Sequence, residues 1–88
     1  MKVAFRDSFR RDLRIIRDKS LLKRLKEVIE AIETADSLAH LPNLKSLKGT
    51  SHYFQLRVGD YRIGLAFQDE TVIFVRFLNR KDIYRYFP

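Results

Sequence analysis

The chain has 88 residues and a surplus of basic side chains, with 18 Lys and Arg against 11 Asp and Glu, for a formal net charge of +7. A hydrophobic content of 45% predicts a folded globule. The length suffices for one small core, so we expect a single domain over residues 1–88. The lack of cysteine excludes disulfides and cysteine-based zinc sites. The charge surplus favours an anionic partner: nucleic acid, an acidic protein or anionic lipid.

The N-terminal segment does not resemble a signal peptide, because charged residues begin at Lys2 and Arg6. No apolar run approaches the roughly 20 residues that a membrane span requires. We therefore expect a cytoplasmic protein with no membrane partner.

The N-terminal half predicts a short strand, Lys2–Phe5, followed by two helices. The first helix is expected from apolar residues at helical spacing after a cap at Asp7 or Ser8. The second is expected to begin after a cap at Ser20 and to carry a single apolar stripe. Together they predict an αα-hairpin whose charged residues mostly form a solvated face.

Residues 34–49 predict an irregular link, because they include Pro42 and Gly49. Leucines recur at every third position of this segment and are expected to tether it to the core. Lys45 and Lys48 lie between those leucines, so we expect both to point outward.

Apolar residues recur at every second position after residue 51, which predicts an antiparallel meander with strands at 52–58, 61–68 and 71–78. Asn79 is then expected to cap a last short helix, 80–87. One face of the meander is apolar enough to seat the helical hairpin, and the other carries small residues and is expected to be concave. We predict an α+β fold: an N-terminal strand, then an αα-hairpin packed on an antiparallel sheet with a C-terminal β-meander and a short final helix.

The turn Gly59-Asp60 gives the strongest functional signal. Gly and Asp tolerate the positive φ that tight hairpins need, so a two-residue loop places Arg57 directly opposite Arg62. Like charges at opposed positions destabilise a hairpin by roughly a few tenths to 1 kcal/mol, which favours a bound anion. The alternative interpretation is two solvated arginines that splay apart.

The last helix is expected to complete this site by folding back over the concave face. Arg80 and Tyr84 are four residues apart and share one side of that helix. Together with Arg57 and Arg62, Arg80 is a candidate for holding the charge of the transition state in metal-free RNA cleavage. Tyr84 is a candidate for proton transfer or base stacking, and the alternative is a core tyrosine. Lysines are the expected RNA contacts at the rim: Lys45, Lys48 and Lys81.

No metal and no cofactor are predicted. His40 and His52 are not spaced as metal ligands, and three glycines cannot build a phosphate-binding loop. The acidic residues fall mostly on the predicted helices, so they do not supply the convergent carboxylates of a two-metal nuclease.

These residues together resemble the RelE/ParE superfamily of toxins from type II toxin–antitoxin modules. The similarity spans essentially the whole chain and depends on Leu56–Ile63, similar to the family's R-h-G-x-Y-R strand pair, and Asn79–Arg85, similar to its H-R-x-x-h-Y ending. The resemblance implies a toxin held inactive by a cognate antitoxin protein, with promoter DNA bound only through the antitoxin complex. RelE-type members cut mRNA in the ribosome without a metal. In that comparison Arg62, Arg80 and Tyr84 fall on the positions of the catalytic arginines and terminal tyrosine.

Two departures from the RelE pattern leave the target open. RelE-type enzymes carry paired lysines where this chain has Tyr53 and Gln55, and a histidine where it has Asn79. ParE-type relatives keep the fold, lack the nuclease residues and inhibit DNA gyrase by binding it. We expect a ribosome-dependent mRNA endoribonuclease that inhibits translation. The alternatives are a ParE-like gyrase inhibitor without nuclease chemistry, and a non-toxic RNA- or DNA-binding module or decayed toxin.

Overall fold

The computed structural model describes all 88 residues and confirms the predicted α+β architecture. Its five strands form one sheet in the order β1-β5-β4-β3-β2. Three helices and one 3₁₀ turn complete the fold. In chain order the elements are β1 (Lys2–Phe5), α1 (Asp7–Arg14), α2 (Lys19–Thr34), the 3₁₀ turn (Leu38–His40), β2 (Leu44–Ser46), β3 (Tyr53–Val58), β4 (Tyr61–Gln68), β5 (Thr71–Asn79) and α3 (Arg80–Tyr86).

Two features of the sheet differ from the prediction. The link at 34–49 is not wholly irregular, because β2 pairs antiparallel with β3. A strand of three residues is too short for alternation to reveal it in the sequence. In addition, β1 pairs in parallel with β5, so the sheet is mixed rather than antiparallel. Strand direction depends on which strands become neighbours, and periodicity does not encode that.

The predicted separation of the two sheet faces is confirmed. Phe9 of α1 and Leu25 and Ile32 of α2 are buried on one face of the sheet. The strands contribute their alternate residues to the same core: Leu56, Val58, Ile63, Leu65, Val72, Phe74 and Phe77. No helix combines the length and the hydropathy needed to cross a membrane.

A β-bulge lets β5 keep its aromatic residues in this core. The register with β4 passes from Leu65↔Phe74 to Gly64↔Arg76, so Val75 has no partner across the strand pair. Without that extra residue, Phe74 and Phe77 would point to opposite faces, because they are an odd number of positions apart. With it, both are buried.

Helix α1 covers the half of β5 that β1 does not reach. β1 pairs only with Thr71–Phe74, which leaves backbone groups of the following residues at an open edge. The Ser8 hydroxyl donates to the Val75 carbonyl, and the Asp12 carboxylate accepts the Phe77 N–H at 2.8 Å. Polar side chains of α1 thus satisfy buried backbone groups of the sheet.

The helix starts differ in detail from the predicted caps. Neither Asp7 nor Ser8 caps α1, because Arg6 holds the cap position without a side-chain bond and Ser8 is bound to β5. Asp18 caps α2 in place of Ser20, and its carboxylate accepts the Leu21 N–H at 3.1 Å. Neighbouring residues have similar intrinsic preferences for the N-cap position, so tertiary contacts and the direction in which the chain enters the helix determine which of them occupies it.

Candidate functional site

The Gly59-Asp60 turn forms the predicted hairpin. Arg57 lies opposite Arg62 in the register of β3 and β4. Gly59 has a φ of +60° and Asp60 is not among the residues with positive φ, which is the pattern of a type II′ turn. Because the alternate residues Leu56 and Val58 are buried in the core, both arginines lie on the opposite face of the sheet.

The charges of these two arginines are not neutralised within the protein. The side-chain ion pairs of the structure are Arg10–Asp7 and Arg76–Asp12, and neither includes them. Nη1 of Arg62 donates to the carbonyls of Gly59 and Tyr61 at 3.1 and 3.0 Å. These bonds fix the guanidinium at the turn while its Nε and Nη2 donors stay free for a ligand.

A cavity of about 360 Å³ lies beside the arginine pair, and we call it the cationic pocket. The structure brings together Arg57, Arg62, Lys45 and Tyr84 there, four of the residues that the sequence singled out. Tyr84 is 71% exposed, which excludes the alternative that it is a core tyrosine. The remaining lining residues are Asn43, Leu44 and Gln55.

A second cavity of about 620 Å³ adjoins the first, and we call it the apolar pocket. It shares Lys45, Gln55 and Tyr84 with the cationic pocket, so the two form one continuous groove. Lys48 lies in its lining. The other lining residues are Ser46, Leu47, Thr50, Phe87 and Pro88.

Helix α3 lies on the same face of the sheet and is anchored there by buried side chains. Ile83 and Phe87 are buried, and the backbone of Gly64 lies directly beneath the Phe87 ring. A Cβ at Gly64 would lie 2.7 Å from that ring. Tyr53 meets Phe87 edge-on, with ring centroids 5.6 Å apart. The surface that the sequence predicts as concave is therefore partly filled by Phe87.

Arg80 and Lys81 line neither pocket. Both are exposed at the start of α3, where the Asn79 side chain accepts the Lys81 N–H at 3.0 Å and provides the predicted cap. The Arg80 N–H donates to the Asp60 carbonyl at 2.8 Å, which ties α3 to the hairpin turn. Arg80 thus lies next to the hairpin turn, at one end of the site, and its side chain does not line the groove.

No pattern in the sequence indicates the contact that links α1, β5 and α3. Asp12 is buried and binds Arg76 through two hydrogen bonds of 2.8 and 3.0 Å. The hydrogen bond to Asp12 raises the pKa of Arg76, against the opposing effect of burial. The same guanidinium lies 5.9 Å from the ring centroid of Tyr86 on α3. An aspartate on a charged helix gives no local hint of a partner 64 positions away.

The chemistry of the groove is that of anion binding. Arginine and lysine converge there, and arginine pairs with phosphate oxygens through two parallel hydrogen bonds. No group of three His, Cys, Asp or Glu side chains converges anywhere in the structure.

Comparison with known proteins places the chain in a family. The family model described as the ParE toxin of the type II toxin-antitoxin system, parDE, matches residues 3–84. The chain is 43% identical to Toxin RelE3 of Methanocaldococcus jannaschii over 89 residues, with both proteins covered completely. It superposes on the toxin fold of the RelB-RelE antitoxin-toxin complex from Methanococcus jannaschii with a TM-score of 0.82, 39% identity, and coverage of 97% and 99%. For the RelBE2 complex of Mycobacterium tuberculosis the TM-score is 0.62, with 29% identity and coverage of 90% and 96%. The chain belongs to the ParE toxin family of type II toxin–antitoxin systems, within the RelE/ParE superfamily that its two sequence segments indicate.

Proposed function

We propose that this toxin is an endoribonuclease that cleaves mRNA on the ribosome, without a metal ion, and so inhibits translation. One observation carries the proposal: Arg57 and Arg62 lie side by side, unneutralised, in a pocket that also contains Lys45 and Tyr84. Opposed like charges destabilise a strand pair, and a bound anion would offset that cost.

The groove offers the groups that cleavage by the 2′-hydroxyl requires. Arg57 and the free Nε and Nη2 donors of Arg62 are positioned to hold the oxygens of the phosphate as charge develops on them. Tyr84 is our candidate for protonating the leaving oxygen or stacking on a base. Lys45 lies across the strand pair from Gln55, and Gln55 occupies the position where RelE-type enzymes carry a lysine. Lys45 is our candidate for the group that accepts the 2′-hydroxyl proton, a step that requires its uncharged amine rather than the ammonium that contacts phosphate.

Arg80 and Lys81 have a different role in this proposal, because they lie outside the groove. We expect them to contact the RNA backbone, or the ribosome, beyond the hairpin end of the cationic pocket, because the Arg80 N–H is bound to the Asp60 carbonyl of the turn. Lys48 has the same role at the other end, where it lines the apolar pocket.

We further propose that a cognate antitoxin inhibits the protein by covering this groove. The solved relatives include toxins in complex with RelB. The net charge of +7 and the unpaired cations of the groove favour an acidic segment of the antitoxin as the covering element. The complex is then the species that binds promoter DNA.

Induced expression in a bacterial host tests the nuclease proposal. A reporter message should be cut when it is translated and remain intact when its start codon is removed. Arg62→Ala should reduce cleavage by about 10²–10³-fold, the typical cost of one transition-state donor. Lys26→Ala, which changes an exposed lysine on α2, should behave as the unmodified chain. Growth arrest with intact translated messages would exclude the nuclease.

Inhibition of DNA gyrase is the second candidate. The matching family model carries the ParE name, and Tyr53 and Gln55 replace the lysines of RelE-type enzymes. A gyrase inhibitor would induce the DNA-damage response while translation continues. It would also keep its toxicity in Arg62→Ala if its gyrase contacts lie elsewhere on the surface.

A further inference from the structure

The two halves of the groove differ in chemistry. The cationic pocket presents Arg57 and Arg62. The apolar pocket presents the hydrophobic surfaces of Leu47, Phe87 and Pro88, with Lys45 and Lys48 among its other lining residues. Its volume of about 620 Å³ far exceeds that of a nucleobase. A nucleotide chain held by a phosphate in the first half therefore has an adjoining base within reach of the second.

Gln55 lies at the junction of the two halves with an unused amide. Its exposed fraction is 5%, yet no side-chain hydrogen bond in the structure involves it. No side-chain nitrogen or oxygen that is fully sealed from solvent lacks a partner, so the amide must open onto the groove. An amide that opens onto the groove and has no partner within the protein is available to a ligand bound there.

The neighbours of Gln55 restrict the positions that its side chain can take. In the sheet register Lys45 flanks it on β2 and Gly64 on β4. The Phe87 ring covers Gly64. A side chain held between such walls loses little rotamer freedom when it binds a ligand, so its amide is preorganised.

We propose that the apolar pocket binds the nucleobase next to the phosphate in the cationic pocket, and that Gln55 determines which base is accepted. The proposal depends on the RNA substrate proposed above. A glutamine amide offers one acceptor oxygen and two donor hydrogens, whereas a lysine at this position only donates. Glutamine pairs bidentately with adenine, so we expect adenine to be preferred. In single-stranded RNA the base edges are free for such contacts.

Binding of short, uncleavable RNA separates this role from catalysis. The probes are the four homotrinucleotides with 2′-O-methyl riboses, which cannot attack their own phosphates. The chain has only four side-chain amides, those of Asn43, Gln55, Gln68 and Asn79, so NMR resolves each one. We expect the Gln55 amide resonances to shift on addition of the adenine trinucleotide and those of Gln68, exposed at the end of β4, to stay in place. The affinity for adenine should exceed that for the weakest base by roughly tenfold.

Two substitutions test whether Gln55 causes the discrimination. Gln55→Leu preserves apolar bulk and removes both donor and acceptor, so the four trinucleotides should bind within about twofold of one another. Gln55→Glu keeps the shape but only accepts, and it should lose the adenine preference as well. Gln68→Leu is the matched control and should keep it.

Several results would overturn the base pocket. They are a Gln55 amide that does not respond to any trinucleotide, equal affinity for all four in the unmodified chain, or a base preference that survives in folded Gln55→Leu. If base selectivity and its loss in Gln55→Leu are observed but translating ribosomes yield no cleavage, the base pocket stands and the nuclease proposal fails.

Discussion

At the scale of residues, the opposed arginines show a conflict between stability and function. The Arg57–Arg62 pair costs the hairpin free energy that an apolar or hydroxyl side chain would not. Arg62 relieves part of the conflict by turning its Nη1 toward the carbonyls of the turn. Arg57 has no such partner and remains exposed, so replacing it should remove the repulsion between the two arginines without breaking a side-chain hydrogen bond.

Replacing Arg57 with Thr should therefore stabilise the fold but reduce the cleavage activity. We expect the free energy of unfolding to rise by about 0.2–1 kcal/mol, because a repulsion is removed and a β-branched residue is added to a strand. Urea denaturation measures this change. Cleavage of translated messages should fall in the same variant. Lower stability with unchanged cleavage would mean that the two arginines do not share an anion.

The Asp12–Arg76 pair is the second feature at this scale. Asp12 also accepts the Phe77 N–H, so its charge satisfies the backbone at the open edge of β5. Asp12→Ala and Arg76→Ala should each lower the free energy of unfolding by about 3–5 kcal/mol, because each leaves a partner uncompensated. The double variant should lose less than the sum of the two. Additive losses would show that the residues act independently.

The pKa of Arg76 determines the pH dependence of this contribution. It is higher in the folded chain than in the unfolded one, mainly through the hydrogen bond to Asp12. The stabilisation from Arg76 is therefore complete below the unfolded pKa of arginine and is lost only as the pH rises through the folded value. Both values lie above any working range. We expect the stability difference between the unmodified chain and Arg76→Ala to be constant from neutral to mildly alkaline pH, as measured by denaturation at several pH values.

At the scale of elements, α3 decides the shape of the groove, because it carries Tyr84 over the cationic pocket. The helix has only seven residues and is too short to be stable alone. Its position depends on burial of Ile83 and Phe87, on the contact of Tyr86 with Arg76, and on the bond from its first N–H to the hairpin turn.

Gly64→Ala should displace this helix. The new Cβ would overlap the Phe87 ring, which must move, at a cost of about 1–3 kcal/mol for an overpacked site. Amide hydrogen exchange should show loss of protection confined to α3, with activity reduced. Phe87→Ala should lower the free energy of unfolding less in the Gly64→Ala variant than in the unmodified chain, because in the variant it also removes the clash. Exchange that increases throughout the sheet instead would mean that Gly64 supports the core.

At the scale of the whole molecule, the surplus of positive charge determines how binding responds to salt. The groove and its rim place Lys45, Lys48, Arg57 and Arg62 within one continuous surface. Four phosphates neutralised on a single strand give a slope of log affinity against log salt of about −3. Lys48→Ala should reduce its magnitude by about 0.7. Fluorescence anisotropy with a labelled RNA at several salt concentrations measures the slope. A slope near zero would show that the protein does not neutralise RNA phosphates on binding, which would contradict the proposal.

The local features of this protein are predictable from its sequence. Short-range patterns reveal features whose residues are near in the chain. These features are the period-2 runs, the Gly59-Asp60 turn, the opposed Arg57 and Arg62, and the Asn79 cap. The two sequence segments also identified the superfamily. The exact starts of α1 and α2 were missed, because adjacent residues can serve as caps and long-range contacts choose between them.

The contacts between distant segments depend on the tertiary fold. The local sequence of a segment does not indicate which distant segment it will contact. This applies to the parallel pairing of β1 with β5, to the pairing of the three-residue β2, and to the contact of Asp12 with Arg76. The same holds for the site, since neither the exposure of Tyr84 nor the unpaired amide of Gln55 follows from a pattern. Both depend on where α3 docks, and Phe87 sets that position by filling the space above a glycine 23 residues earlier in the chain.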